Sequence, residues 1–191
     1  MYGYKYVVFD LDETLGYFTE LGIFWDSLKS VLKKSLTQDE FNKICDLYKD
    51  FFRPGIFSII TFLLKKKRSS SKTKLLIYTN NQAPKDWTYK IKNYIEDRFK
   101  SNIFDQVICA FKVNGKRVEM CRTTHSKTYN DLIKCTEAPK NSTFIFMDDQ
   151  YHDKMRNELV EYLNIKPYTY HISFVDMINR FVKSDIGKNL I

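Results

Sequence analysis

The chain has 191 residues, of which 43% are hydrophobic and 28% are charged, and its formal net charge is +8 at pH 7. This length allows one well-buried core, and the composition is that of an ordinary globular protein. No apolar run approaches the roughly 20 residues of a membrane-spanning helix, and the chain begins with a predicted strand rather than a secretory signal, so we expect an intracellular protein, cytoplasmic or nuclear.

The first quarter of the chain combines one strand pattern with two helix patterns. A buried strand is predicted over residues 4–11, and residues 16–52 are predicted to form a small helical insert after it. Within this insert, Thr37 and Glu40 have the spacing of a capping box, which predicts the start of a second helix there.

A basic segment separates the next helix from the second strand. Arg53-Pro54-Gly55 ends the preceding helix, and another helix is predicted from residue 56 to about residue 64. Residues 65–74 include Lys65-Lys66-Lys67-Arg68 and three serines, and we interpret them as a mobile, solvated loop before a short apolar strand over 75–78. The basic run is also compatible with nuclear localisation or with contact to nucleic acid.

The middle of the chain continues the alternation. A helix is predicted from Pro84 to Phe99, since proline is favoured in a first helical turn. A third strand follows over residues 104–111, and Asn114-Gly115 is a hairpin signal that predicts a returning arm over 116–121.

The last third contains two further predicted strands between helices. The predicted elements are a helix over 126–134, a strand over 144–147, a helix over 155–163, a strand over 168–172 and a last helix capped by Ser173 and Asp176. Strands separated by helices imply right-handed crossovers and a three-layer α/β/α sandwich around a Rossmann-like, mostly parallel sheet. We expect one domain over residues 1–191, with residues 16–52 as a small helical cap.

The four cysteines are predicted to be free thiols. Cys45, Cys109, Cys121 and Cys135 are scattered and form no C-x-x-C pair. In a chain of this length such spacing does not indicate a disulfide framework, and no zinc-ligand spacing is present either.

Polar side chains occur where predicted strands end or a helix begins. They are Asp10, Asp12, Thr79, Lys127, Asp148 and Asp149. Open parallel sheets bind their ligands at the carboxyl ends of the strands, so these groups are expected to converge. Paired carboxylates at the end of a buried strand are costly to desolvate without a compensating cation. The pattern therefore predicts a site for a divalent metal and a phosphate, balanced by one lysine.

The same residues, with Thr14, stand in the order of the four motifs of the haloacid dehalogenase-like (HAD) hydrolase superfamily, which the chain resembles over nearly its whole length. Within that superfamily, Asp10-Leu11-Asp12-Glu13-Thr14-Leu15 and the later Arg53-Pro54-Gly55 resemble the carboxy-terminal-domain phosphatase branch, the FCP/SCP-like or NLI-interacting factor-like proteins.

The resemblance implies an Mg²⁺-dependent phosphatase that works through an aspartyl-phosphate. Asp10 is expected to be the nucleophile, and Asp12 the general acid that later activates water. Mg²⁺ would be held by the Asp10 carboxylate, the Asp12 backbone carbonyl and the Asp149 side chain, with Asp148 binding it directly or supporting a direct ligand. The acidic pair Asp148-Asp149 could instead cap the following helix.

The transferring phosphoryl group has its own expected ligands. Thr79 would donate its hydroxyl, the backbone amide of Asn80 could join it, and Lys127 would neutralise the group and orient the nucleophile. Thr79 could instead satisfy a backbone group at the strand end, and Arg122 and Lys134 compete with Lys127 for its position.

Two neighbouring positions are expected to be outside the chemistry. Thr14 is predicted to hydrogen-bond within the loop after the first strand. His152 and Asp153 are predicted to be surface or capping residues.

The expected substrate is a phosphorylated protein. An insert of the size of residues 16–52 covers a site only partly, and an open, basic protein could accept a large phosphorylated partner. The alternatives are a nucleotide or polynucleotide-end phosphatase, and a catalytically silent binding protein that contacts nucleic acid through its basic surface.

Overall fold

The computed structural model describes residues 3–191. Its strands are β1 (Lys5–Phe9), β2 (Thr73–Tyr78), β3 (Gln106–Ile108), β4 (Lys112–Val113), β5 (Lys116–Arg117), β6 (Thr143–Asp148) and β7 (Val160–Asn164). Within the described residues, five strands form one sheet in the order β3-β2-β1-β6-β7, and every neighbouring pair is parallel. The predicted α/β fold with a Rossmann-like sheet is confirmed.

Helices cover both faces of the sheet. They are α1 (Thr19–Leu32), α2 (Gln38–Leu47), α3 (Ile56–Ser69), α4 (Lys85–Phe99), α5 (Tyr129–Thr136), α6 (Phe174–Lys183) and α7 (Asp185–Leu190). Side chains of β1 alternate between two buried clusters, so that Val7 and Phe9 face one and Tyr6 and Val8 face the other. The first cluster includes residues from every helix but α5, whereas the second is closed by α5 and a 3₁₀ turn at Asp153–Met155. The three layers are therefore unequal in thickness.

The direction of the winding changes at the middle of the sheet. From β1 the chain first forms β2 and β3 on one side and later forms β6 and β7 on the other. The pairing of Phe9 with Met147 then places Asp10 beside Asp148 at the carboxyl ends of the two strands. This reversal is the position where open α/β sheets form a ligand crevice.

The predicted helical insert packs as part of the thick layer. Thr37 and Glu40 form the predicted capping box at the start of α2. Trp25 of α1, Phe41 of α2 and Trp87 of α4 form successive edge-to-face contacts, with ring centroids 5.0 and 5.5 Å apart. Both insert helices are thereby anchored to α4, and whether they cap a bound substrate stays a prediction.

The predicted hairpin at Asn114-Gly115 is confirmed, although its arms are short. Both turn residues have positive φ, 50° for Asn114 and 75° for Gly115, which the mirror-image turns of tight hairpins require. The paired segments are only β4 and β5, so the predicted arm over 116–121 and the predicted strand over 104–111 are too long.

Two predicted elements near the C-terminus are wrong. Apart from Met155, which ends the 3₁₀ turn, residues 155–163 are not helical. β7 begins at Val160 and pairs with β6, and this backbone pairing outweighs the helix propensity of the segment. Residues 168–172 form no strand despite their β-favouring composition, and the amide of Tyr168 instead donates to the carbonyl of Glu13. This irregular segment braces the loop that follows β1.

The loop predicted over residues 65–74 is wrong at both ends, and its last two residues belong to β2, which begins at Thr73. Helix α3 continues to Ser69, so the basic run is helical. Lysine and arginine are good helix formers, and Lys67 Nζ pairs with Asp105 Oδ2 at 2.7 Å, which stabilises the last turns of the helix.

The prediction of four free thiols is wrong for two of them. Cys121 and Cys135 form a disulfide with Cα atoms 5.0 Å apart, whereas Cys45 and Cys109 are free and buried. The fold brings a loop cysteine against one on α5, a proximity that sequence spacing does not reveal. Within residues 3–191, no helix combines the length and apolar character that crossing a bilayer requires.

Candidate active site

The loop after β1 is built as a tight turn that carries two carboxylates. Glu13 has a left-handed φ of 58°, and an added Cβ on Gly16 would lie only 2.3 Å from the Phe51 carbonyl oxygen, so only glycine fits there. Arg53 donates from Nε to the Thr14 carbonyl at 2.7 Å and from Nη2 to the Glu13 carbonyl at 2.5 Å. Arg53, the first residue of the Arg53-Pro54-Gly55 motif, thus holds this loop in place.

Three carboxylates meet at the position in the sheet where the direction of the winding changes. Asp10, Asp148 and Asp149 each offer one oxygen, and among the described residues these atoms lie within 4.8 Å of one another, as metal ligands do. Lys127, which is only 1% exposed, donates from Nζ to Asp10 Oδ1 and, at 2.7 Å, to Asp148 Oδ2. The acids at the start of the chain and those near residue 148 therefore converge as the sequence predicts.

Burial perturbs these acids unequally. Desolvation raises the pKa of Asp10 to about 7, against the opposing effect of the Lys127 cation and with help from the charge of Asp148. Desolvation likewise raises the pKa of Asp149, which also faces Asp148. The pKa of Asp148 is lowered despite its burial, because His152 and Lys127 hydrogen-bond to the ionised form.

Asp148 is already well supplied with hydrogen bonds, whereas Asp149 is not. In addition to Lys127, Asp148 accepts the amide of Gln150 at 2.9 Å, and His152 Nε2 lies 3.4 Å from its Oδ2. The Asp149 carboxylate receives the Thr14 hydroxyl at 3.4 Å. Asp149 is thus the freer ligand of the pair.

Two expectations about neighbouring residues need correction. The Thr14 hydroxyl bonds across to Asp149 rather than within its own loop: it donates to Oδ1 and accepts the amide at 3.2 Å, and so joins the two halves of the site. His152 is half-buried in the cavity wall next to Asp148, whereas Asp153 is exposed as predicted.

Asp12 stands at the open side of the cluster and contacts a residue that the sequence analysis did not select. Asn81 donates from Nδ2 to Asp12 Oδ2 at 2.7 Å, and its own Oδ1 accepts the amide of Ala83 at 2.8 Å. Desolvation raises the pKa of Asp12, although the Asn81 hydrogen bond opposes this. The available sequence signal is the Asn80-Asn81 pair that follows Thr79, and the prediction includes only the first of the two.

Thr79 and Asn80 lie at the end of β2, as predicted, but differ in exposure. Thr79 is buried, and its hydroxyl accepts the amide of Asn81 at 2.9 Å, which leaves its proton for another acceptor. Asn80 lines the cavity. Arg122 is one of the two alternative candidates for the position of Lys127. It is buried and donates to the carbonyls of Thr79 and Cys109 at 3.1 and 2.9 Å.

The other alternative candidate for the position of Lys127 is Lys134, which lies outside the site. Lys134 is exposed in the last turn of α5, and Arg122 satisfies backbone oxygens, so neither contacts the acids. Lys127 itself precedes Thr128, whose hydroxyl caps α5 by accepting the amide of Asp131. The cap fixes the direction from which the lysine enters the cluster.

The cavity at this site has a volume of about 150 Å³ and an excess of negative charge. Six of the predicted site residues line it: Asp10, Asp12, Asn80, Lys127, Asp148 and Asp149. Among its described lining residues, Lys127 is the one lysine or arginine, set against these four aspartates and Glu13. Oxygen donors in excess over cations suit a hard divalent cation, and Asp10, Asp148 and Asp149 are placed to hold one.

Comparison with known proteins adds no further constraint. No protein-family model, curated protein or solved structure matches the chain.

Proposed function

We propose that the protein is an Mg²⁺-dependent phosphomonoesterase that works through an aspartyl-phosphate on Asp10, and that it belongs to the HAD-like hydrolases. The observation that carries this proposal is the convergence of Asp10, Asp148 and Asp149 around the buried Lys127. Burying more carboxylates than cations costs desolvation energy, and this arrangement therefore favours a role in binding a cation over a purely structural role.

The donor set favours Mg²⁺ as the cation. The carboxylates of Asp10 and Asp149 would hold it, with the Asp12 carbonyl and Asp148 as further candidates. When bound, the cation would neutralise the phosphoryl oxygens and the excess charge of the carboxylates.

Asp10 would act as the nucleophile. Lys127 binds its Oδ1, which leaves Oδ2 to attack phosphorus in line with the departing oxygen. The new Oδ2–P bond forms as the bond from phosphorus to the leaving oxygen breaks. Lys127 holds the carboxylate in one orientation and stabilises charge on the transferring group.

Asp12 would move the protons. Its raised pKa favours the protonated form that donates to the leaving oxygen. The resulting carboxylate would then take a proton from water, whose oxygen attacks phosphorus and releases phosphate from Asp10. Asn81 positions Asp12 throughout by its bond to Oδ2.

The test is release of inorganic phosphate from an aryl phosphate in the presence of Mg²⁺. We expect turnover that is abolished by a chelator and by Asp10→Asn. Asp153→Asn is the matched control, because it neutralises an exposed acid near the same strand end and should leave activity unchanged. Full activity of Asp10→Asn would exclude the mechanism.

A further inference from the structure

A second and larger cavity adjoins the acidic site. This groove has a volume of about 330 Å³ and shares Asp12 and Asn81 with the acidic cavity. Its walls come from α1 and from the start of α4. In a phosphomonoester positioned for attack by Asp10, the leaving group would pass Asp12, the proposed proton donor, before reaching the groove.

Apolar side chains form part of the lining of the groove. Trp25 and Trp87 line it and are the only two tryptophans of the chain, and the half-exposed Ile23 forms a further apolar part. Gly22 of α1 also lines the groove, and a Cβ added there would be 3.3 Å from the Trp87 ring. A larger side chain at position 22 would therefore press on Trp87 and change this wall of the groove.

The charges around the groove do not favour an anion. Asp26 is paired with Lys29 at 2.6 Å, and Lys90 lies over the Trp25 ring at 5.4 Å. Asp86 and the Asp12 carboxylate add two further acids, so the lining carries three acids against two lysines. A polynucleotide would place more phosphates against these acids, and phosphate contacts are what binds such chains.

We infer that the groove is the subsite for the leaving group and that it takes an uncharged, apolar alcohol. This inference rests on the proposed function, since it assigns the substrate class of the same site. The volume of the groove falls at the lower end of the range for small-molecule pockets.

The kinetic test compares two alkyl phosphates whose alcohols differ mainly in size. Cyclohexylmethyl phosphate should be hydrolysed with a kcat/KM at least about tenfold above that of methyl phosphate. Gly22→Leu should reduce this preference, because it should raise KM for the larger substrate by more than for methyl phosphate. Ser30→Leu, on an exposed position of the same helix, is the matched control and should change neither.

A second variant guards against misfolding of the first. Ile23→Ala removes apolar surface without filling the groove and should lower the same preference in a protein whose thermal unfolding matches the parent. Equal losses on both substrates, or a preference for a 5′-phosphorylated oligonucleotide over cyclohexylmethyl phosphate, would overturn the inference.

A binding measurement separates this inference from the proposed function. Cyclohexylmethyl phosphonate has no bond that a phosphatase can hydrolyse, and both tryptophans report on the groove. We expect it to change tryptophan fluorescence in the parent and in Ser30→Leu but not in Gly22→Leu. These fluorescence changes without any turnover would refute the proposed phosphatase activity and support the subsite. Turnover without a fluorescence change would support the phosphatase activity and refute the subsite.

Discussion

Replacing Lys127 by methionine tests how the acidic site is balanced. The lysine is 1% exposed and bonds to two carboxylates, of which Asp10 is 6% and Asp148 is 1% exposed. Methionine keeps the volume of the side chain but leaves both acids without their cation. Breaking a buried ion pair in this way costs about 3–5 kcal/mol, so we expect a loss of unfolding free energy in that range without metal. Removal of the charge that faces the phosphoryl group should lower kcat by about 10²–10³-fold.

The assay is urea unfolding with and without Mg²⁺, together with phosphate release. Lys127→Met removes the positive charge that faces the carboxylates. Saturating Mg²⁺ should therefore stabilise the variant by more than it stabilises the parent. Lys134→Met is the matched control, because it removes an exposed lysine from α5, the helix that follows Lys127, and should change stability by less than about 0.5 kcal/mol. A Lys127→Met protein that is as stable as the parent in the absence of metal, or fully active, would refute this reasoning.

Three further predictions concern two contacts elsewhere in the fold and one at Asp12. Reduction of the Cys121–Cys135 disulfide, or Cys→Ser at both positions, should lower the unfolding free energy by about 3 kcal/mol, and equal urea midpoints with and without reductant would contradict it. The pKa of Asp105 is lowered in the fold, since hydrogen bonds from Lys67 and the Leu75 amide outweigh desolvation, so its stabilisation is present above the unfolded pKa and is lost as the pH falls through the folded pKa. Asp105→Asn should therefore destabilise by about 1–3 kcal/mol at neutral pH and flatten the acid limb of a stability–pH curve, and an unchanged limb would count against it. Asn81→Ala should raise the pKa of Asp12 further and move the high-pH fall of kcat to higher pH, whereas an unmoved pH–rate profile would show that Asp12 is not the acid.

The parts of the fold that the sequence predicted well are those where one physical signal dominates. The strands β1, β2 and β6 each contain a run of four apolar residues, as strands covered on both faces do, and such runs have few alternative structures. The Thr37 cap is equally local, since its donor and acceptor lie within one turn. The site followed from these strands, because parallel pairing brings their carboxyl ends together.

The parts that were missed depend on contacts distant in sequence. β7 is an edge strand with half-exposed side chains, so only its pairing with β6 distinguishes it from a helix. The Cys121–Cys135 bond and the contact between Asn81 and Asp12 likewise arise from the fold rather than from spacing. No local pattern encodes such pairs.

The most direct test of the central claim is chemical trapping of the intermediate. The protein is mixed with a phosphomonoester and Mg²⁺, quenched in acid and treated with borohydride, which reduces an aspartyl-phosphate to homoserine, and the peptides are then sequenced by mass spectrometry. We expect homoserine at position 10, dependent on both substrate and Mg²⁺ and absent from Lys127→Met quenched at the same early time. Phosphate release without homoserine at position 10, or homoserine at Asp12 instead, would contradict the account.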